Sequence, residues 1–280
     1  MVAGPRTSTT DSPARHSVRS VALAATTGIL LTLCYPPFAQ PWLAWIAVTP
    51  LLLAVDGVGL GAAAGLGWIA GTVGGLGVTG YWIARAAADY FGLSSVVAVA
   101  FTVGVIQLFV APFYVVFAVL VARLNGPGWS VVFVPAALVV CEAARSALVG
   151  NAWALLGHSQ QALVLMQVTD LTGIAGLSFL LAASAAVVAA MLRDVGAGLS
   201  LRAAIADQRR VLATLLAVVA LVVGYGIWRL AAPPLEPSLR AVLVQGAVGN
   251  EERRQPGRAA ETVQRYVALS AAAPPAAPQR

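Results

Sequence analysis

The chain of 280 residues is 59% hydrophobic and only 10% charged, far from the roughly 25% charged residues of a soluble domain. Its formal charge of +6 reflects 17 basic residues, all arginine, which are scattered between apolar segments rather than clustered beside aromatic residues. This pattern argues against a nucleic-acid-binding protein. Stretches of about 20 apolar residues recur, which is the length of a bilayer-spanning helix, and they predict an all-α polytopic membrane bundle.

Polar residues 1–20 are followed by seven apolar segments within residues 21–231, which predict about seven transmembrane helices. The segments cover approximately residues 20–34, 41–55, 58–83, 93–121, 129–148, 171–192 and 211–230. Because the first two segments are short and are separated by prolines, an alternative for them is a hairpin of two short helices.

The arginines are distributed unequally between the two sets of loops. If the N-terminus is cytoplasmic, eight arginines lie on the cytoplasmic side, whereas the opposite loops before residue 229 contain only Arg85 and Arg145. The eight are Arg6, Arg15, Arg19, Arg123, Arg193, Arg202, Arg209 and Arg210. Because loops rich in arginine stay cytoplasmic, we expect residues 1–20 to form a cytoplasmic tail and the C-terminal residues to be extracytoplasmic.

Glycines in the third apolar segment have four-residue spacing. The pairs are Gly61/Gly65, Gly67/Gly71 and Gly71/Gly75. Small residues at this spacing let membrane helices approach closely. We interpret the pattern as close packing inside one chain rather than as a dimer interface, and we expect a monomer.

Ionisable residues inside the apolar segments are few, and each is a functional candidate. Glu142 and Arg145 are three residues apart near the end of the fifth segment. This spacing places them on one helix face, where they can pair. Such a pair would hold the following loop in place. The alternative role is contact with a lipid headgroup or support of a catalytic loop.

The long loop at residues 149–170 mixes polar and apolar residues, and it contains the candidates Trp153, His158 and Gln160. Loops of this kind often lie at the membrane interface and line a site. The alternative is an ordinary interfacial loop anchored by Trp153. Because His158 has no second His, Cys or Asp close to it in the sequence, we predict neither a metal site nor a cofactor.

The sequence changes character near Pro233. Residues 239–248, which read Leu-Arg-Ala-Val-Leu-Val-Gln-Gly-Ala-Val, predict a buried strand that opens a soluble domain. Residues 238–280 are too few to bury such a strand, because segments of about 40 residues rarely fold unaided. We therefore expect this tail to be poorly ordered.

Six motifs follow one another along the chain. They are Leu33-Cys34-Tyr35-Pro36-Pro37-Phe38, Gly80-Tyr81-Trp82-Ile83, Glu142 with Arg145, residues 151–160, residues 170–179, and Val242-Leu243-Val244-Gln245-Gly246. In this order they resemble apolipoprotein N-acyltransferase, a bacterial enzyme family of lipoprotein maturation. The resemblance covers about residues 20–270, and residues 170–179 are its most specific part.

The resemblance implies a membrane domain followed by an α/β nitrilase-like domain, whose first strand would contain Gln245. The family moves an acyl chain from a phospholipid to the N-terminal amine of a diacylglyceryl-cysteine apolipoprotein. A Cys thiolate activated by a Glu base forms a thioester, and a Lys stabilises the oxyanion. The implied partners are a phospholipid acyl donor, a diacylglyceryl apolipoprotein and membrane lipids, and the implied location is the bacterial inner membrane.

The chain departs from the family in its catalytic residues. The family's Glu, Lys and Cys follow the strand at Gln245, but this chain has no lysine and its cysteines, Cys34 and Cys141, lie in apolar segments. Glu251 and Glu252 follow the strand too closely to be the base. We carry over no catalytic residue, interpret residues 238–280 as a truncated start of the nitrilase-like domain, and expect the 280 residues alone to be inactive.

Two alternative functions stay open. The first is a non-catalytic relative that binds lipid or lipoprotein. The second, a small transporter, is disfavoured because the sequence shows no paired half-repeats and few midplane charges.

Overall fold

The computed structural model describes residues 13–124, 130–150, 152–231, 242–249, 252 and 255–272. These residues belong to two units, one within Met1–Ala231 and the other within Ala232–Arg280. Residues 1–12 of the expected tail, residues 239–241 of the expected strand, Asn151 and Glu251 lie outside the described residues.

The described residues are mostly helical. Their helices are α1 (Pro13–Cys34), α2 (Thr49–Ala54), α3 (Leu60–Gly75), α4 (Tyr81–Phe91), α5 (Ser95–Phe109), α6 (Ala111–Leu124), α7 (Ser130–Val149), α8 (Leu163–Met166), α9 (Thr169–Gly196), α10 (Leu201–Asp207), α11 (Arg209–Ala231) and α12 (Arg258–Ala271). A π-helical turn at Leu76–Gly80 joins α3 to α4. α1 begins at Pro13, so part of the segment expected to be a tail is helical.

Six stretches of helix in the described part of the chain are long and apolar enough to cross a membrane, instead of the seven predicted. They are Ser17–Cys34, Leu60–Phe91, Ser95–Leu124, Ser130–Val149, Thr169–Gly196 and Arg209–Ala231. The segment that does not qualify is 41–55. It forms a short 3₁₀ helix at Pro41–Trp45 and then α2, because Pro41 and Pro50 lack the N–H groups that a continuous helix needs.

This interrupted segment nevertheless passes from one end of the bundle to the other. Near its start, the Gln160 side-chain amide donates to the Pro41 carbonyl at 2.9 Å. Midway, the Thr49 hydroxyl donates to the Ala185 carbonyl at 3.0 Å. At its end, the Asp56 carboxylate lies 3.6 Å from the Arg193 guanidinium.

The bundle therefore has two distinct ends. We call the end with residues 35–41 and 152–160 the loop end, and the end with Arg193, Arg202, Arg209 and Arg210 the arginine end. The six long helices and the interrupted segment give seven passes between these ends. The start of α1 and the last residue of α11 consequently lie at opposite ends.

Glycines of α3 allow close helix contacts within the bundle. A Cβ atom added at Gly67, Gly71 or Gly75 would lie under 3.0 Å from atoms of α5 or α6. A Cβ atom at Gly61 or Gly65 would meet nothing within 4 Å. Close packing inside one chain is thus confirmed for Gly67, Gly71 and Gly75, whereas the Gly61/Gly65 pair takes no part in it.

The described residues of the C-terminal unit include α12 and the segment 242–249, which is neither helix nor strand. An Arg265 side-chain N–H donates to the Glu252 carboxylate at 2.9 Å, and Gly246 packs against the Tyr266 ring. Within the tail that is expected to be poorly ordered, α12 is a regular helix. An ion pair of Arg258 with Glu261, at 3.9 Å and one helical turn apart, contributes to this helix.

Candidate functional site

A short loop at the loop end, residues 152–160, follows α7 and contains a 3₁₀ turn at Leu156–Ser159. Backbone groups in such a turn cannot all pair with one another, so buried ones need side-chain partners. The helices beneath the loop and the segment that follows α1 supply these partners. Four buried or partly buried side chains reach the loop backbone, and they come from residues 35, 142, 145 and 178.

Glu142 on α7 holds the middle of the loop. One oxygen of its carboxylate accepts a hydrogen bond from the Leu156 N–H at 2.6 Å. Ser178 on α9 donates its hydroxyl to the same carboxylate, while the Ser178 oxygen accepts from the Gly157 N–H at 2.9 Å. Ser178 is 0% exposed, so these bonds form away from water and link α7, α9 and the loop.

Arg145 holds the start of the loop. Its side chain is buried, with only 7% of the residue exposed, and one terminal N–H₂ group donates to the Trp153 carbonyl at 2.6 Å. Glu142 and Arg145 do not form the direct ion pair that their spacing predicts. Instead, each binds the loop backbone, because the loop presents an N–H group to the carboxylate and a carbonyl to the guanidinium.

The segment after α1 also contacts the loop. The Tyr35 hydroxyl donates to the Leu155 carbonyl at 2.6 Å. Burial raises the pKa of Tyr35 well above its usual value, so the hydroxyl keeps the proton that it donates. Gln160 is buried, and its side-chain amide donates both to the Pro41 carbonyl at 2.9 Å and to the Ser159 hydroxyl at 3.0 Å.

The outer surface of the loop carries Trp153 and His158. Trp153 is 57% exposed, and its ring packs edge-on against Trp82 with centroids 4.8 Å apart. His158 is exposed. Partial loss of hydration, and then the positive charge of Arg145, lower the pKa of His158 below its ordinary value of 6.5. The exposed face of the loop therefore carries one imidazole and one indole side chain.

The side chains that hold the loop 152–160 lie in a part of the chain that is similar to known proteins. Residues 27–187 match the family described as the apolipoprotein N-acyltransferase N-terminal domain. The chain belongs to the apolipoprotein N-acyltransferase family. The apolipoprotein N-acyltransferase of Geobacter metallireducens is 33% identical over 266 residues, which are 93% of this chain and 49% of that protein. The chain thus spans about half the length of this curated relative.

Family membership confirms the resemblance read from the motifs. Both cysteines of the chain are buried and free. Cys34 is fully buried, and its thiol contacts the Leu30 carbonyl at 3.1 Å within α1. Cys141 is buried in α7. Among the described ranges, no three His, Cys, Asp or Glu side chains are grouped as they would be around a metal ion.

The structure brings together five of the six candidates predicted from the sequence. Glu142, Arg145, Trp153, His158 and Gln160 all lie at the loop end, whereas Gln245 belongs to the C-terminal unit. Tyr35 and Ser178 lie within the motifs but are not among the candidates that the sequence indicates. The signal that could have found Ser178 is a hydroxyl at a fully buried position of an apolar helix, which needs a hydrogen-bond partner.

Proposed function

We propose that the chain is the membrane part of an apolipoprotein N-acyltransferase of the bacterial inner membrane. The reaction would transfer an acyl chain from a phospholipid to the N-terminal amine of a diacylglyceryl-cysteine lipoprotein. The observation that carries this proposal is family membership over residues 27–187, a region that contains every side chain of the loop network. The six apolar helices are consistent with a lipid substrate.

In this proposal the loop 152–160 is a rigid surface on which substrates are placed. Glu142, Arg145 and Gln160 act as positioning residues, because all three hold backbone groups and none projects freely from the loop. Trp153 and His158 face outward and are the substrate-facing candidates. An exposed indole suits an acyl chain or a glyceryl group at the membrane interface.

The 280 residues alone are proposed not to catalyse the transfer. Acyl transfer of this kind needs an accessible thiolate beside a base, but Cys34 and Cys141 are buried in membrane-spanning helices. The chain also has no lysine for an oxyanion contact. Residues around Gln245 are proposed to begin the nitrilase-like domain, and their strand would form when partner strands are present.

The orientation is proposed from the arginines. The arginine end would face the cytoplasm and the loop end would be extracytoplasmic. Alkaline phosphatase, which is active only outside the cytoplasm, is expected to be active when fused after Ser238 and inactive when fused after Leu199. Measured activities in the reverse order would contradict this orientation.

The function is tested with a diacylglyceryl lipopeptide in phospholipid–detergent micelles, and the mass of the product is measured. The 280 residues alone are expected to give no acylated product. A fusion with the second half of the Geobacter metallireducens relative is expected to give the product, because the membrane part and the chemistry are then both present. The intact relative serves as the positive control.

The possible results of this assay distinguish the proposed function from its alternatives. Product from the 280 residues alone would contradict the proposed inactivity and would make Cys34 and Cys141 the residues to replace. A folded fusion without product, beside an active relative, would contradict the acyltransferase proposal and favour a non-catalytic lipid- or lipoprotein-binding protein.

A further inference from the structure

The exposed Trp153 indole is held in one position by three separate features. The Arg145 guanidinium donates to the Trp153 carbonyl at 2.6 Å. The next residue, Ala154, has a left-handed backbone with a φ of 53°, a conformation that is rare for residues with a Cβ atom and persists where the surroundings enforce it. The Trp82 ring packs edge-on against the indole, with centroids 4.8 Å apart. A side chain that is 57% exposed is therefore fixed both in its backbone and in its ring.

A π-helical turn at Leu76–Gly80 comes two residues before Trp82. Such a turn contains one residue more than an α-helical turn, so it rotates α4 relative to α3 and decides which side chains of α4 face the loop. The Thr79 hydroxyl donates to the Gly75 carbonyl within the turn at 2.8 Å. A Cβ atom at Gly77 would collide with the Thr32 side chain, so the turn packs tightly on α1. π-helical turns inside helices are frequent at functional sites.

The two rings lie at the membrane surface on the side of the loop end. The helical stretch that starts at Leu60 near the arginine end rises about 33 Å by Trp82, at 1.5 Å per residue, and the hydrocarbon core is about 30 Å thick. About one turn beyond Trp82, Arg85 forms an exposed ion pair with Asp89 at 3.6 Å, and such a pair belongs outside the hydrocarbon. Trp82 and Trp153 are consequently at the level where the acyl chains of a lipid join its glyceryl group.

An indole held in this way suits an apolar group. It offers a large ring that packs on methylene groups, and because its position is already fixed, it loses little conformational entropy when a ligand binds. Among the described residues on α4 and beside Trp153, the guanidinium groups of Arg85 and Arg145 are bonded to Asp89 and to the Trp153 carbonyl. The rings are therefore suited to the first methylene groups of acyl chains rather than to a charged headgroup.

We propose that Trp82 is a positioning residue, which holds the Trp153 indole as a preformed contact for the diacylglyceryl group of a lipid substrate. Trp153 touches this group, and Trp82 acts through Trp153. The inference rests on the proposed function, in which the phospholipid donor and the lipoprotein acceptor both contain a diacylglyceryl group. It concerns the binding of substrates and not the chemistry of acyl transfer.

The test measures binding to the full chain in detergent micelles, which requires no catalysis. One probe is phosphatidylethanolamine with a dye on its headgroup, and the other is a diacylglyceryl lipopeptide with a dye at its C-terminus. The same peptide without lipid is the blank. Trp82→Ala and Trp82→Leu, which both lack the ring edge, are each expected to raise the Kd of at least one lipid probe about five-fold. Trp82→Phe keeps an aromatic ring and is expected to bind like the unmodified chain.

Trp228→Ala is the matched control. Trp228 is a 66% exposed indole at the same end of the bundle, but its ring packs against Tyr225 instead of the loop. Its replacement is expected to leave the Kd values of both probes unchanged. An equal loss of binding in Trp228→Ala and Trp82→Ala would overturn the proposal, because any interfacial indole would then serve. Unchanged Kd values for both probes in Trp82→Ala and Trp82→Leu would also overturn it.

A double variant shows whether Trp82 acts through Trp153. Trp82→Ala added to Trp153→Ala is expected to weaken binding no further, because residues that act as one unit are not additive; further weakening would overturn the proposal. Circular dichroism reports the ring geometry separately, since two indoles in contact give an exciton couplet. The couplet is expected to disappear in Trp82→Ala and Trp153→Ala and to persist in Trp228→Ala. These binding results together with an inactive fusion would contradict only the proposed function.

Discussion

Replacing Glu142 with alanine is expected to lower the free energy of unfolding by about 2 kcal/mol and to release the loop 152–160. The carboxylate accepts a short hydrogen bond from the Leu156 N–H and one from Ser178. Without it, two buried donors lose their acceptor, and donors buried without a partner are strongly destabilising. Thermal unfolding in detergent measures the stability, and hydrogen exchange at Leu156 and Gly157 measures the release of the loop.

His158→Ala is the matched control, because His158 belongs to the same loop but is exposed. It is expected to leave both the unfolding temperature and the exchange rates nearly unchanged. Glu142→Gln keeps an acceptor oxygen. Its unfolding temperature and exchange rates are expected to lie between those of Glu142→Ala and those of His158→Ala. Unchanged hydrogen exchange at Leu156 in Glu142→Ala would show that the carboxylate does not hold the loop.

Replacing Gly67 with leucine is expected to destabilise the bundle by about 3 kcal/mol, the upper end of the usual range for overpacking. A Cβ atom at this position would collide with the Tyr114 carbonyl oxygen, which is backbone and cannot move aside as a side-chain end would. The helices α3 and α6 would have to separate. The midpoint of thermal unfolding in detergent measures the loss.

Gly61→Leu is the control on the same helix. Its added Cβ atom meets nothing within 4 Å, so the same substitution is expected to change the midpoint only slightly. An equal loss of stability in Gly61→Leu and Gly67→Leu would mean that leucine acts through some property other than the close approach of α3 to α6.

Much of the helical architecture could be predicted from the lengths of the apolar segments alone. The segments at 129–148 and 211–230 correspond closely to α7 and α11, because a bilayer requires about 20 apolar residues in a helix. Residues 41–55 could not be assigned this way. Their path depends on Thr27, Gln160 and Ala185, partners far away in the sequence.

The candidate site could be predicted only in part. Helical spacing correctly placed Glu142 and Arg145 near one another and close to the following loop. It could not show that each would bind a backbone group instead of its neighbour, because the conformation of the loop decides which groups it presents. The contribution of Ser178 depends on how α9 packs against α7, which no local pattern encodes.

The interrupted segment at residues 41–56 has a consequence for how the protein enters the membrane. A lone stretch containing Pro41 and Pro50 would expose unpaired backbone groups to lipid, which membranes do not tolerate. Its Thr49 hydroxyl finds the Ala185 carbonyl and its Asp56 finds Arg193 only after α9 has been synthesised. The Thr49 and Asp56 side chains of the second crossing are therefore paired only when α9 packs against it, as a step of tertiary assembly.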